Sequence, residues 1–276
     1  MARVVKDDPR LPIKWNQWCS VVRWEFKDPT PFIRSREFLW QEGHTAHLTE
    51  QAARTELINI IQLYQQTYKL LCVPTISGTK TRFEKFAGAD ETYTVETYLP
   101  DANRVVQAAT AHLLGTNFSK STCFNIYVQQ SKTLSESITE TPNHMIACDD
   151  ILSENSKRVY LTQNSWGFTT RSIGIMIIHH SDNHGLIIPP LVASQQFVII
   201  PIIKGDNFSE VNEYAHYIKQ LLAIKYRVFV DDNPNQRSGR KYNKYELEGI
   251  PFRIEIGSNE IIDKQITLKS RIGKKN

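Results

Sequence analysis

Cysteine is scarce and scattered. Cys19, Cys72, Cys123 and Cys148 form no Cys-x-x-Cys pair, which excludes a zinc knuckle and a dense disulfide framework. The reduced thiols of a cytoplasmic protein are the expectation. Long apolar runs are missing as well. The longest, FVIIPII from Phe197, is far too short to span a bilayer, and the opening MARVVKDD lacks the apolar stretch of a secretory signal, so no membrane contact is expected. No Gly-x-Gly-x-x-Gly follows a strand-like run, no Gly-x-Ser-x-Gly elbow occurs, and Gly78-Thr79-Lys80 lacks the upstream glycine of a P-loop. Dinucleotide-binding, hydrolase-elbow and P-loop chemistries fall away. Strong charge of one sign is also lacking: a formal +4 permits contact with a polyanion without demanding it. His44-x-x-His47 has the wrong spacing for a helical zinc pair, and His179, His180 and His184 read as structural, so no protein metal site is expected.

What is present is ordinary apolar content, 41% of 276 residues, enough for one large core or two modest ones. The densest chemistry lies in VVRWEFKDPTPFIRSREFLWQEGHTAH, from Val21 to His47. VVRWEF alternates as a strand does, with Val22, Trp24 and Phe26 on one face and Arg23 and Glu25 on the other. Asp28, Pro29 and Pro31 predict a turn, and SREFLW a second strand. Thr49 predicts the cap of a helix running to about Leu71, with Ala53, Leu57, Ile60, Ile61, Tyr64 and Leu71 at helical spacing. After a turn at Ser77 and Gly78, ETYTVETYL and RVVQAATAHLLG read as adjacent strands of one sheet. Between Gln129 and Lys157 the chain is polar, with Pro142 and no sustained period, and reads as a mobile surface insertion. RVYLTQ predicts a strand, and SWGFTTRSIGIMIIHH a glycine-containing turn followed by a helix. Pro189 and Pro190 mark a boundary. Beyond them FVIIPI predicts a buried strand, Phe208 to Ala223 a helix, and RVFV, GIPFRIEIG and QITLKS further strands, the order of a small α/β domain.

Arg23-x-Glu25, a loop, then Arg34 and Phe38 resembles motif 2 of the class II aminoacyl-tRNA synthetases. REFLWQEGHTAH, EKFAGADETYTVE, SWGFTTRSIG, GLIIPP and YELEGIPFRIEIG follow in order, so that nearly the whole chain resembles prolyl-tRNA synthetases of the archaeal and eukaryotic cytoplasmic type. The resemblance implies an α+β fold: a class II antiparallel sheet with helices over residues 1–190, then a small α/β anticodon-binding domain over 191–276. It implies ATP-dependent attachment of proline to tRNA(Pro) through prolyl-adenylate, with Mg²⁺, in the cytoplasm and in a homodimer.

Such chemistry builds negative charge on the α-phosphate as pyrophosphate leaves, which fixed guanidinium forks stabilise without reorganising. By resemblance, Arg23 and Glu25 are catalytic. ATP falls to Arg23, Arg34, Ser35, Phe38, Gln107, Thr110, Thr169 and Arg171, with Phe38 and Arg171 on the two faces of adenine. Proline falls to Arg23, Trp40, Phe86 and His112, since an apolar ring needs apolar cover. The basic residues Arg237, Arg240, Lys241, Lys274 and Lys275 are expected to meet tRNA phosphates.

The sequence departs from the family where Ala108 and Ala109 replace glycines, Ala111 a serine and Leu113 a histidine. Methyl groups there can crowd a ligand that approaches the backbone. Set against the family pattern, the residues before Arg23 leave no room for motif 1 and a Thr-x-Glu loop, and the chain stops short of the family's C-terminal extension. It therefore reads as the middle of a synthetase: a fragment, half of a split enzyme, or a non-catalytic paralogue that binds tRNA or protein. In this reading the sheet exposes an apolar face and an open edge.

Overall fold

Strand β1 (Ile13–Val22) lies earlier than the alternation of VVRWEF predicts, in a computed structural model that describes residues 10–25, 27–100, 103–130, 157–203, 205 and 207–273. Its partner β2 (Glu37–His47) runs antiparallel, from Ile13 opposite Ala46 to Val22 opposite Glu37. The Arg23 N–H donates to Arg36 O at 2.7 Å and closes the ladder. Beyond it Arg34 pairs with Thr30 instead, Thr30 N–H donating to Arg34 O at 3.0 Å and Arg34 N–H to Thr30 O at 2.9 Å, so Arg23 and Glu25 sit in the loop rather than on a strand face. Trp24 is 78% exposed, not turned to a core.

Helix α1 (Glu50–Leu70) starts where Thr49 predicts, with Thr49 Oγ1 accepting from Ala52 N. Ala53, Leu57, Ile61 and Tyr64 are buried as the spacing requires, and Tyr68 joins them. The chain then gives β3 (Ile76–Thr79), β4 (Glu91–Leu99), β5 (Arg104–Gly115), β6 (Tyr127–Gln130), β7 (Lys157–Tyr160), β8 (Thr162–Thr169) and helix α2 (Arg171–His180). β4 and β5 pair as adjacent antiparallel strands, as expected. The six-stranded sheet has the order β1-β2-β8-β5-β4-β3, with every pair antiparallel. The insertion expected between Gln129 and Lys157 lies, its two ends apart, outside the described residues. β6 and β7 flank it as a hairpin whose Val128, with Ile126 and Leu161, packs on Leu11, Ile13 and Ala46.

SWGFT is strand, not turn. Gly167 stands opposite Glu42 and Thr110, and a Cβ there would lie 3.0 Å from the Trp40 ring. The glycine marks a close approach between neighbours on a pleated face, a use that looks like a turn signal in sequence.

α1 covers one face of this sheet. Tyr68 Oη donates to Ala108 O at 2.9 Å, Asn164 Nδ2 to Ala53 O at 2.8 Å, and Tyr64 stacks on Phe168. Between helix and sheet sits Glu56, accepting from Thr45 Oγ1 at 2.5 Å and lying 2.7 Å from His47 Nε2. Burial alone would push its carboxyl up. The contacts to His47, Thr45 and Asn164 outweigh that and hold it at about 2, below the usual 4.5. A depressed carboxyl stabilises the fold above its unfolded value and loses that stabilisation as pH falls toward its folded one. Between about pH 4.5 and 2 the chain is therefore expected to lose on the order of 2 to 3 kcal/mol through this group. Urea titrations across that window should show the loss in the native chain and a flatter profile in Glu56→Gln.

Contacts divide the chain into two compact units, Met1–Lys69 with Pro74–Gly174, and Leu70–Val73 with Ile175–Asn276. The second holds β9 (Phe197–Pro201), α3 (Phe208–Ala223), β10 (Val228–Val230), α4 (Ser238–Leu247), β11 (Phe252–Ile256), α5 (Ser258–Ile262) and β12 (Thr267–Ser270). Its sheet order is β10-β9-β11-β12, with β9 parallel to both neighbours and β12 antiparallel. β9 is apolar throughout because both its faces are covered. Ile199 packs with Val211 and Ala215 of α3, while Val198 and Ile200 pack with Tyr245 of α4.

Helix α4 is absent from the sequence reading, since SGRKYNKYEL looks like a charged loop. Its apolar stripe is little more than Tyr242 and Tyr245, supplemented by a lysine. That lysine corrects an expectation. Lys241 is 1% exposed, and its Nζ donates to Asp231 O at 2.7 Å and lies 3.2 Å from Asp231 Oδ1. It is held inside the unit and cannot meet a tRNA phosphate. Arg237 and Arg240 are exposed, and Lys274 and Lys275 lie outside the described residues.

Candidate functional site

The face of the six-stranded sheet opposite α1 carries a cavity of about 370 Å³. The motif 2 loop supplies Arg23, Glu25, Phe32, Ile33, Arg34 and Ser35 to its lining. β2 supplies Phe38 and Trp40, β5 Gln107 to Thr110, and the β8–α2 junction Gly167, Thr169 and Arg171. Residues separated by more than a hundred positions thus meet because β2, β8 and β5 are neighbours in the sheet.

Phe38 and Trp40 are two apart on β2 and share its cavity face. Their rings meet edge to face at 5.8 Å, and the Arg23 guanidinium lies 5.5 Å from one centroid and 5.3 Å from the other. Aromatic faces hold Arg23 in place, and among the described residues no carboxylate pairs with it. Trp40 Nε1 donates to Cys19 Sγ at 3.3 Å, and the open face of Gly167 gives its ring room.

Gln107 and Thr110 are three residues apart, a spacing that puts side chains on opposite faces of a regular strand. A β-bulge resolves this. Val95 pairs with Ala109 but Glu96 pairs with Gln107, so Ala108 is the extra residue and the alternation shifts by one. Gln107, Thr110 and His112 consequently share the cavity side, while the Ala108 carbonyl is taken up by Tyr68.

Arg171 is the best anchored of the cations. Its Nε donates to Ile33 O at 2.9 Å and its Nη1 to Gln107 O at 3.2 Å, tying the motif 2 loop to β5. Burial lowers its pKa from the usual arginine value, and the charges of Arg34 and Arg104 lower it further. Thr169 Oγ1 accepts from the Arg171 N–H at 3.1 Å and so serves the start of α2. Gly174 lets that first turn approach the loop: a Cβ there would lie 2.7 Å from Phe32 Cβ. Phe32 itself has a φ of 59°, an unusual conformation for a bulky residue that turns the Ile33 carbonyl to Arg171.

Phe86 and His112 do not line this cavity. They form a neighbouring aromatic pair, ring centroids 5.1 Å apart, with Phe118 stacked behind Phe86. The His112 ring is held by a 2.9 Å contact between Nδ1 and Thr92 Oγ1. Burial, aided by the charge of Lys80, pushes its pKa down to about 4, so the ring is neutral at physiological pH. Ala108 and Ala109 line the cavity, whereas Ala111 and Leu113 are fully buried on the α1 side and do not crowd it.

Sequence reasoning missed Phe32, Ile33 and Lys80. Ile33 acts through its carbonyl, which no side-chain pattern can reveal.

If Phe38 and Arg171 form the two walls of a base site, Phe38→Ala and Arg171→Ala should each weaken binding of a non-hydrolysable ATP analogue about tenfold. Calorimetry checks this, with circular dichroism confirming an intact fold.

An antiparallel sheet carrying this arginine-rich cavity, followed by a separate α/β unit, defines a class of protein. The family described as tRNA synthetase class II core domain (G, H, P, S and T) matches residues 1–180, and Anticodon binding domain matches residues 196–276. The chain belongs to the class II tRNA synthetase core family. Within it, the chain is 44% identical to a proline–tRNA ligase of Encephalitozoon cuniculi over 268 residues, covering 95% of this chain and 49% of that protein. It is 40% identical to the proline–tRNA ligase of Natronomonas pharaonis over 273 residues, 98% of this chain and 51% of the relative. A cytoplasmic proline–tRNA ligase of Arabidopsis thaliana is 42% identical over 259 residues, 93% of this chain and 44% of the relative. The chain spans about half the length of these relatives.

Proposed function

We propose that the chain carries the adenylate-forming centre of a proline–tRNA ligase: proline and ATP react to prolyl-adenylate, and the prolyl group passes to tRNA(Pro). The observation that carries this reading is the single cavity gathering Arg23, Arg34, Phe38, Gln107, Thr110, Thr169 and Arg171. Arg23 lies at the Phe38–Trp40 side, where a carboxylate and an α-phosphate can both reach its fork. It holds the two in line and meets the charge that develops as pyrophosphate leaves. Phe38 and Arg171 hold the base, with Arg34 and Ser35 along the phosphates. Trp40, Phe86 and His112 cover the proline ring, and the neutral His112 offers hydrogen bonds without competing for the carboxylate.

Mg²⁺ fits as an ion carried with ATP. Among the described residues no group of three or more His, Cys, Asp or Glu could cage a metal, yet Glu25 lines the cavity and would hold the ion beside the phosphates. When bound it supplies further neutralisation of phosphate charge.

A cytoplasmic location is supported by the name of the plant relative. Among the described residues no helix is long and apolar enough to cross a membrane. For the whole enzyme a second copy is proposed as a partner, supported by the exposed Trp18, Val22 and Leu39 on the β1–β2 edge pair. The α/β unit is proposed to meet tRNA through exposed Arg237 and Arg240. Binding of tRNA(Pro) by the full chain should then weaken steeply with salt, and Arg237→Ala or Arg240→Ala should each reduce the log–log slope by about 1.

The deciding experiment is proline-dependent ATP–pyrophosphate exchange. Exchange with proline and none with other amino acids supports the reading; no exchange despite tRNA binding would favour a non-catalytic tRNA- or protein-binding role. The observation favouring that second reading is that Ala108 and Ala109 stand in the cavity lining where the family pattern has glycines.

A further inference from the structure

Lys80 directly follows β3, where its N–H donates to Thr92 O at 2.8 Å and fixes its backbone to the sheet. Its side chain runs over the cavity face, and Nζ donates to Gln107 Oε1 at 2.8 Å. A lysine ammonium has three protons to give and no lone pair. The carboxamide atom turned toward it must therefore be the oxygen, which leaves the NH₂ end of Gln107 for the cavity that this residue lines. Without such a tether a carboxamide exchanges its two similar-sized ends at little cost, offering a ligand an acceptor as readily as a donor. The oxygens of a nucleotide's phosphates and ribose call for donors. The bulge at Ala108 contributes as well, because it brings Gln107 onto the face that Lys80 can reach.

We propose that Lys80 is a positioning residue of the nucleotide site, holding Gln107 Oε1 so that the Gln107 NH₂ group is presented to oxygen acceptors of ATP. The assignment rests on the ATP reading above. It extends the site to a residue outside motif 2, the β8–α2 junction and the cavity lining itself. The charge of Lys80 also helps to lower the His112 pKa, after burial.

Two measurements on the full chain test it. In ¹⁵N-labelled protein without nucleotide, the Gln107 side-chain NH₂ should be ordered in the native chain and in Lys80→Arg, and mobile in Lys80→Met. In ATP calorimetry, Lys80→Met should bind about tenfold more weakly at an unchanged melting temperature, with Lys80→Arg within about threefold of native. Gln107→Glu keeps an oxygen for Lys80 but loses the NH₂, and should fall as far as Lys80→Met. Lys80→Met combined with Gln107→Ala should be no weaker than Gln107→Ala alone, because the two act through one contact. An equally ordered Gln107 NH₂ in Lys80→Met, or additive losses in the double variant, overturns the assignment of Lys80. A native chain that binds no ATP overturns the proposed function instead, and the NMR comparison still decides whether Lys80 orients Gln107.

Discussion

Replacing Arg23 by alanine is expected to lower proline-dependent exchange by about 10²- to 10³-fold, the cost of losing one preorganised charge contact in a transition state, roughly 3 to 4 kcal/mol. Geometry is the reason for the size. The guanidinium stands against Phe38 and Trp40 and lines the cavity, and among the described residues no carboxylate pairs with it. Arg23→Lys should recover only a small part of the loss, because a lysine ammonium cannot bridge a carboxylate and a phosphate with one planar fork. Steady-state exchange over a range of ATP concentrations checks this. The reduction should fall mainly on kcat, with the melting temperature unchanged because the side chain is exposed. Exchange at the native rate in Arg23→Ala would remove it from the chemistry.

The largest expected effect on stability belongs to Lys241. Lys241→Met should destabilise the second unit by about 3 to 5 kcal/mol, since removing one partner of a buried pair leaves the other charge buried. Asp231 is 7% exposed and accepts from Tyr245 Oη at 2.9 Å and from the Asn233 N–H at 3.3 Å. Burial pushes its carboxyl up, and these donors together with Lys241 hold it below the usual value. After the lysine has gone, the Tyr245 hydroxyl and the Asn233 N–H still face the carboxylate, but its cationic partner is lost. Asp231→Asn in the Lys241→Met background should restore part of the loss. Hydrogen exchange of the β10 amides is the appropriate readout, because a chain of two units need not melt as one. Protection in Lys241→Met equal to native would mean that the pair contributes nothing.

Most residues assigned through the family resemblance are brought together by the fold, although spacing alone would not have picked them out. Arg23, Glu25, Arg34, Ser35, Phe38, Trp40, Gln107, Thr110, Thr169 and Arg171 all line one cavity. Phe86 and His112 instead form a pair beside it. The errors have physical causes. Alternation in VVRWEF continues the pattern of β1 past the point where Arg34 turns to pair with Thr30 and the ladder ends. SWGFT was read as a turn because a glycine that accommodates a ring and a glycine that permits a bend are written with the same letter. Lys241 was assigned to solvent because lysines usually are solvated, and only the carboxylate, carbonyl and tyrosine around it reverse that. Helix α4 escaped because its buried stripe is built from tyrosines and that lysine. Ile33 could not be found at all, since its contribution is a backbone carbonyl.

The extra residue in β5 makes one wall of the cavity a matter of phase. Deleting Ala108 would let β4 and β5 pair without interruption, a gain in hydrogen bonding for the sheet. The same deletion would rotate the segment Arg104 to Gln107 by half a pleat relative to Thr110, sending Gln107 toward α1 and withdrawing it from Lys80. The most regular version of this sheet is thus one that has lost a wall of its pocket. Change along β5 should accordingly act through register: insertion or loss of one residue at Ala108 inverts the orientation of everything on one side of it.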